Sequence, residues 1–192
     1  MRKIIIALIV CFLSAGLAEA QKNYLITKNS VGVVRLGMTV AEARKVLKGY
    51  NVERGSDGDG AALIDVDKGG KPIMTLYAGE EDRDAPINEN AKIEMIKVWA
   101  ANYRTADGVH PKMLVKAAER LLGKVKEVFM SEIESREYAV FTKKTKGLLF
   151  QIDVSSEGKY MYAGVYPEGK RRGTRCTPLA FIIGIQVSDY FP

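Results

Sequence analysis

The sequence predicts an α+β protein of two tandem repeats, each a short helix packed on an antiparallel β-meander of three or four strands. Two segments, residues 38–49 and 113–123, have the apolar spacing of a short amphipathic helix. Each is followed by segments in which apolar and polar residues alternate with a period of two, as in strands that bury one face. The two halves also match each other at their apolar positions, which indicates an internal repeat.

Residues 1–20 have the features of a cleavable secretory signal peptide. Positive residues 2–3 precede an apolar run at 4–13, and the small-x-small pattern of residues 18–20 suits signal peptidase. The apolar run is shorter than the ~20 residues that a membrane-spanning helix needs. We therefore expect an exported protein that begins at Gln21 and has no transmembrane segment after processing. We place it in the periplasm, with the extracellular space as the alternative.

The internal similarity divides the mature chain into a first α+β repeat, residues 21–102, and a second, residues 103–192. Only the apolar positions match, as expected if the buried stripe alone is constrained. The matching pairs are Met38 with Met113, Val40 with Val115, Ala43 with Ala118, Val46 with Leu121, Leu47 with Leu122, Met74 with Phe150, and Leu76 with Ile152.

Each expected helix has its own start and stop signals. Thr39 and Glu42 have the spacing of a capping box, in which each side chain accepts a free backbone N–H of the other. Gly49 then suits a left-handed C-terminal stop. In the second half Pro111 suits a first helical turn, where its missing N–H is not needed, and Gly123 is the stop.

The expected strands follow these helices. Lys68-Gly69-Gly70-Lys71 has the composition of a hairpin turn, and an acidic loop spans residues 79–91. The alternating segments lie at residues 62–67, 73–77 and 93–100 in the first half, and at 125–130, 136–142, 148–154 and 181–187 in the second.

The segment from Ser30 to Ala43, SVGVVRLGMTVAEA, resembles a Gly-Met-Thr-x-x-Glu segment of small bacterial envelope proteins. One such group contains the small lipoprotein of the outer-membrane barrel-assembly machine, and another contains the β-lactamase inhibitory protein, a tandem repeat of helices on an antiparallel sheet. The second half has Lys112-Met113-Leu114 where the first has Gly-Met-Thr. The resemblance implies a non-catalytic envelope protein that works through surface contacts. It carries over neither lipid anchoring nor β-lactamase inhibition.

The composition narrows the possible partners and chemistry. The chain has 192 residues, 47% of them hydrophobic, and a net charge of +6. A basic exported protein does not meet chromosomal DNA, so we expect no nucleic-acid partner but an unknown protein or an anionic envelope component. Cys176 is the one cysteine that follows the signal peptide, so no intramolecular disulfide can form.

No residue pattern indicates catalysis, a metal site or a cofactor, and we expect that the protein is not an enzyme. His110 is the single histidine, and no serine lies in a nucleophile elbow beside it. The calcium-loop start at residues 57–60 has Lys68 where the loop needs its last glutamate. We read this stretch as a turn.

The expected function is a binding module for a protein or an envelope component. Aromatic side chains on strands and exposed basic side chains are the usual anchors of such a surface. The alternatives are a hydrolase of envelope polymers and a carrier of a small apolar ligand. The candidate binding residues are Tyr77, Trp99, Tyr160, Tyr162, Lys170, Arg171, Arg172 and Arg175.

Overall fold

The computed structural model describes residues 24–58, 60–132, 135–143, 145–154 and 160–190. Strands contain 44% of the described residues and helices 9%, so the described part of the protein is mainly β. The predicted signal peptide and its cleavage site lie outside the described residues.

A single large antiparallel sheet of nine strands forms the body of the molecule, in the spatial order β13-β9-β10-β11-β15-β7-β6-β5-β4. Its strands are β4 (Asn51–Ser56), β5 (Ala62–Lys68), β6 (Lys71–Tyr77), β7 (Met95–Val98), β9 (Val125–Met130), β10 (Glu137–Phe141), β11 (Leu148–Val154), β13 (Arg172–Gly173) and β15 (Ala180–Ser188).

Two smaller sheets complete the β structure. One has the order β3-β2-β1-β8, in which β1 and β8 run parallel, and the other pairs β12 with β14. Their strands are β1 (Leu25–Thr27), β2 (Ser30–Val31), β3 (Val34–Arg35), β8 (Arg104–Thr105), β12 (Gly164–Val165) and β14 (Arg175–Cys176).

The helices in the described ranges are α1 (Val40–Val46) and α2 (Val115–Leu122), of seven and eight residues. Isolated helices of this length are unstable in water, so they depend on packing. Ala43 and Ala118 are both fully buried, and both belong to the same hydrophobic core as the apolar faces of the sheet strands.

The predicted α+β fold of two tandem repeats is wrong. The strands that follow the two helices do not form separate meanders, because β7 pairs with β15 over four residue pairs and joins them in one sheet. The short strands of the N-terminal sheet and of residues 164–176 were not expected either. The two helices are therefore minor elements of a mainly β fold.

Two local predictions also need correction. Pro111 is not in a first helical turn, because α2 begins only at Val115 and its N-cap, Leu114, provides no side-chain hydrogen bond. The expected even alternation along residues 181–187 breaks at Ile183, where the register between β15 and β11 shifts by one residue. This shift is a β-bulge, and it turns Ile182 and Ile185 toward the same core.

The hairpin turn between β5 and β6 is confirmed. Asp67 pairs with Pro72 and Lys68 with Lys71, and Gly69 and Gly70 have φ values of 60° and 73°. Glycine reaches this left-handed region without a steric penalty, and two such residues form the turn that matches strand twist.

The nine-stranded sheet is strongly curled. Five strands separate β4 from β10, so a flat sheet would place them about 29 Å apart at about 4.8 Å per strand. Yet Asp57, at the end of β4, lies with Oδ2 3.7 Å from Nη2 of Arg136, at the start of β10. The face of the sheet opposite the core is therefore concave.

Within the described part of the chain, no helix has the length and apolar character needed to cross a membrane.

The predicted capping box of α1 is confirmed. The Glu42 backbone N–H donates to Thr39 Oγ1 at 3.2 Å, and the Thr39 N–H donates to Glu42 Oε2 at 2.9 Å.

We expect Thr39→Ala to lower the free energy of unfolding by about 1 kcal/mol, because the substitution removes one of these acceptors. Urea unfolding measures the change. Thr39→Ser keeps the hydroxyl and serves as the control. Equal stability of the alanine variant and the wild type would show that the cap contributes nothing.

Candidate functional site: a cavity on the curled sheet

The strands of the large sheet have two different faces. One face is the apolar core, which includes Ile64, Leu76, Ile96 and Val187. Side chains alternate along a strand, so the intervening residues point to the concave face. These residues combine aromatic, apolar and charged side chains, whereas a sheet face that only contacts solvent is mostly polar.

The concave face encloses a cavity of about 550 Å³. This volume lies within the range of about 300–1,000 Å³ that is typical of small-molecule sites. Its walls are formed by Ser56, Asp57, Ala61, Leu63, Asp65, Thr75, Tyr77, Met95, Lys97, Trp99, Arg136, Gln186, Ser188 and Tyr190.

A polar row crosses the cavity floor over four neighbouring strands. Asp65 pairs with Thr75 and Thr75 with Lys97, and Lys97 in turn pairs with Gln186. Lys97 is only 4% exposed and Gln186 only 3% exposed. The Thr75 hydroxyl donates to Asp65 Oδ1 at 2.9 Å. Buried polar groups of this kind are costly unless they are hydrogen-bonded, and a row of them is typical of binding sites.

Trp99 is held firmly beside the middle of this row. Its Nε1–H donates to Thr75 Oγ1 at 3.0 Å, and Lys97 Nζ lies 4.7 Å from the indole ring centroid, in cation–π contact. The ring covers Gly184, where a Cβ atom would lie 3.0 Å from two indole carbons. The absence of a side chain at this glycine therefore makes room for the indole.

One part of the cavity wall is formed by charged groups. Besides its ion pair with Arg136, Asp57 accepts the Ala61 N–H at 2.9 Å through Oδ1. The stretch that resembled a calcium-loop start thus contributes a carboxylate to a turn and to this contact. Tyr190, another wall residue, is 77% exposed and donates to Glu94 Oε2 at 3.3 Å. The negative charge of Glu94 raises the pKa of the Tyr190 hydroxyl.

A second ion pair supports the β4 edge of the cavity. Arg54 binds both carboxylate oxygens of Glu80, at 2.8 and 3.1 Å. The hydrogen bond from Arg54 lowers the pKa of Glu80. The beginning of the acidic loop is therefore fixed against β4.

A buried carboxylate joins the β12–β14 sheet to the large sheet. Glu137, on β10, accepts the backbone N–H groups of Ala163 and Gly164 at 2.7 Å and the Tyr166 hydroxyl at 2.8 Å. Burial and the nearby Glu137 raise the pKa of the Tyr166 hydroxyl. Burial also raises the pKa of the Cys176 thiol to about 12, so this thiol stays protonated and unreactive at neutral pH.

The structure separates the predicted binding residues into two groups. Tyr77 and Trp99 line the cavity. Tyr160, Tyr162 and the basic side chains lie in the exposed segment of residues 160–179, at the opposite end of the sheet order. In that segment Arg172 forms an ion pair with Glu127. The basic residues at these exposed positions are Lys170, Arg171, Arg172 and Arg175.

Sequence reasoning missed the polar residues of the cavity: Asp65, Thr75, Lys97, Gln186 and Ser188. Each alternates with core residues and reads as a solvent-facing strand position. A usable signal was the run Met95-x-Lys97-x-Trp99, which places a cation next to the single tryptophan on one strand face.

His110, which the sequence analysis considered for catalysis, makes a local contact with the backbone. His110 Nδ1 lies 2.8 Å from the backbone oxygen of Pro111. Among the described residues, no three histidine, cysteine or acidic side chains are grouped so that they could hold a metal ion.

Comparison with known proteins finds a solved structure with a similar fold, and it indicates no activity. No protein-family model matches the chain, and no curated protein does. Among solved structures, the chain is similar to the uncharacterized protein yfeY from Escherichia coli, with a TM-score of 0.55 and 13% sequence identity. The match covers 85% of this chain and 98% of that chain. At this identity the likeness shows the fold alone, and no catalytic family is indicated.

Proposed function

We propose that this protein is an exported, non-catalytic binding module whose ligand is a small amphipathic molecule held in the concave cavity. The observation that carries the proposal is the cavity wall itself, in which Trp99 and Tyr77 stand beside the buried polar row of Thr75, Lys97 and Gln186. The export part of the proposal depends on the signal-peptide pattern of residues 1–20.

The lining supports the proposed class of ligand. Leu63, Met95 and the aromatic rings offer an apolar surface on which a ring or alkyl group can pack. Two acidic residues, Asp57 and Asp65, and two basic residues, Lys97 and Arg136, line the same space. A ligand with little net charge and several hydrogen-bonding groups suits this balance.

A wholly apolar ligand suits the cavity less well. It would displace water from Asp65 and Lys97 without offering hydrogen bonds in return, which is unfavourable. The carrier of an apolar ligand is therefore the weaker form of the binding hypothesis.

The site is also preorganised. The hydrogen bond between Trp99 and Thr75 and the close contact with Gly184 fix the indole before any ligand arrives. A fixed binding surface loses less conformational entropy on association. This rigidity supports a site that binds a defined ligand.

A hydrolase of envelope polymers is the second candidate, because Asp57 and Asp65 line one cavity. Both carboxylates are already engaged, Asp57 by Arg136 and Ala61 and Asp65 by Thr75. Release of soluble fragments from purified cell-wall polymer by the wild type, and its loss in Asp65→Asn, would favour the hydrolase over the binding module.

Trp99 is the single tryptophan of the chain, so its fluorescence reports directly on the cavity. We expect anilinonaphthalene sulfonate, an amphipathic aromatic probe, to bind with a stoichiometry of one and to accept excitation energy from Trp99. A small-molecule extract of the cell envelope should displace the probe, and mass spectrometry of the bound fraction then identifies the competitor.

Leu63→Arg fills the cavity with a charged side chain and should weaken probe binding at least about tenfold, or about 1.4 kcal/mol. Leu121→Arg is the matched control, since Leu121 is 42% exposed on α2 and is not a cavity residue. Circular dichroism establishes that both variants are folded. Equal probe binding by the two variants would contradict the cavity as the binding site.

A further inference from the structure

We propose that residues 160–179 dock the protein peripherally on an anionic lipid surface. The docking surface, here called the basic–apolar face, consists of Tyr160, Met161, Tyr162, Val165, Leu179, Lys170, Arg171 and Arg175. This inference concerns a surface separate from the cavity and does not depend on the proposed ligand.

Exposed apolar side chains are concentrated in this segment. Eleven large hydrophobic residues are exposed in the described part of the chain, and five of them lie between residues 160 and 179. Met161 is 82% exposed, the highest value of the eleven, and Tyr162 is 46% exposed. Clustered exposed apolar side chains on a soluble domain usually mark an interaction site.

The same segment is strongly basic. Lys170, Arg171, Arg172 and Arg175 are all exposed, and Glu168 is the one acidic residue between positions 160 and 179. Glu127 pairs with Arg172. The four basic side chains therefore exceed the two carboxylates of Glu127 and Glu168 by two positive charges.

The strand pairing brings one apolar and one basic side chain of this segment together. Val165 on β12 lies directly opposite Arg175 on β14, so both side chains are on the same face of this small sheet. Both are exposed, while Gly164, one position along β12, is buried, and Cys176, one position along β14, is half-buried. Gly173 packs closely on the Val165 carbonyl, where a Cβ atom at Gly173 would clash with the oxygen.

The basic–apolar face is held rigidly on the molecule. Glu137 accepts three hydrogen bonds from Ala163, Gly164 and Tyr166, at the beginning of the segment. A rigid support lets several side chains reach a planar surface at once, with little loss of conformational entropy on binding.

This chemistry favours a lipid surface over a protein partner. Tyr, Met and other apolar side chains enter the headgroup region, and flanking Lys and Arg bind anionic lipid, so the two contributions add. A fluid interface needs no shape complementarity, and it accommodates separate protruding side chains such as Met161. A protein partner would need a well-packed contact surface.

Cosedimentation of the purified protein with vesicles tests the proposal. We expect binding to vesicles of phosphatidylcholine with phosphatidylglycerol, and none to phosphatidylcholine alone. Binding should weaken as salt is raised, because ionic screening shortens the range of the surface potential. If the face serves an acidic protein instead, the protein stays in the supernatant with both kinds of vesicle, which would overturn the proposal.

Two variants test the residues. Combined Lys170→Gln, Arg171→Gln and Arg175→Gln should weaken binding about 100-fold, or about fivefold per basic residue. Met161→Ser should weaken it several-fold, because this side chain no longer enters the interface. Unchanged binding by either variant would contradict the assigned face.

A matched control excludes a simple effect of net charge. Lys45→Gln, Lys48→Gln and Lys71→Gln remove the same charge from exposed positions near the β4 edge of the sheet. This control should bind phosphatidylglycerol vesicles within about twofold of the wild type, because charges distant from the surface are screened. Equal losses in the two triple variants would overturn the proposal.

Discussion

Replacing Glu137 with alanine is expected to lower the free energy of unfolding by at least about 3 kcal/mol, as measured by urea denaturation. Glu137 is 7% exposed, and its carboxylate accepts hydrogen bonds from Ala163, Gly164 and Tyr166. Removing it leaves these donors without an acceptor in a buried position, and each such donor costs about 1–3 kcal/mol.

Two controls separate this network from general effects of mutation at an acidic residue. Glu137→Gln keeps Oε1, which accepts from both Gly164 and Tyr166, and should lose about half as much stability. Glu132→Ala, at an exposed position on the preceding turn, should change stability by less than about 0.5 kcal/mol. The Ala163 and Gly164 amides should exchange hydrogen faster in Glu137→Ala. A loss below about 1 kcal/mol would show that the carboxylate does not hold this sheet in place.

Sequence patterns predicted the local structures that neighbouring residues determine. The capping box of Thr39 and Glu42 and the Gly69-Gly70 turn were found because each depends on a few adjacent residues. The two-residue strands, such as β12 and β14, have no periodicity long enough to read. The β12–β14 pair is held in place by the hydrogen bonds that Glu137 accepts from Ala163, Gly164 and Tyr166.

The fold class was wrong because it depends on contacts between distant residues. Ile96 pairs with Val187, and this pairing merges the strands of both halves into one sheet. No local pattern distinguishes that arrangement from two separate meanders. The apolar spacing of each helix correctly predicted that Ala43 and Ala118 are buried. Burial of a helix residue does not reveal how the strands of the sheet beneath it are connected.

Only the aromatic part of the cavity wall was predicted from the sequence, for a related reason. Tyr77 and Trp99 were singled out because tyrosine and tryptophan on strands are the usual anchors of an interaction surface. Lys97 and Gln186 read as ordinary polar positions on a solvent-facing strand, but the curl of the sheet buries them. Curvature arises from twist and bulges accumulated over nine strands, and a linear pattern does not reveal it.

Gly184→Val is expected to weaken binding of anilinonaphthalene sulfonate at least about tenfold, or about 1.4 kcal/mol. A Cβ at this position already lies 3.0 Å from two carbons of the Trp99 indole, and the two additional methyl groups require the ring to move. The Trp99–Thr75 hydrogen bond then breaks, and the ring leaves the cavity wall. Overpacking of this kind also lowers stability by about 1–3 kcal/mol.

Tryptophan emission and probe titration measure these two effects in the same sample. The emission should shift to longer wavelength, because the displaced indole becomes more exposed to water. Gly58→Val is the matched control, since a Cβ added at Gly58 meets no atom within 4 Å. Unchanged emission and probe affinity in Gly184→Val would mean that the indole tolerates the added side chain in place. The fixed position of Trp99 would then not explain ligand binding, and the preorganised cavity would have to be abandoned as the basis of the proposed function.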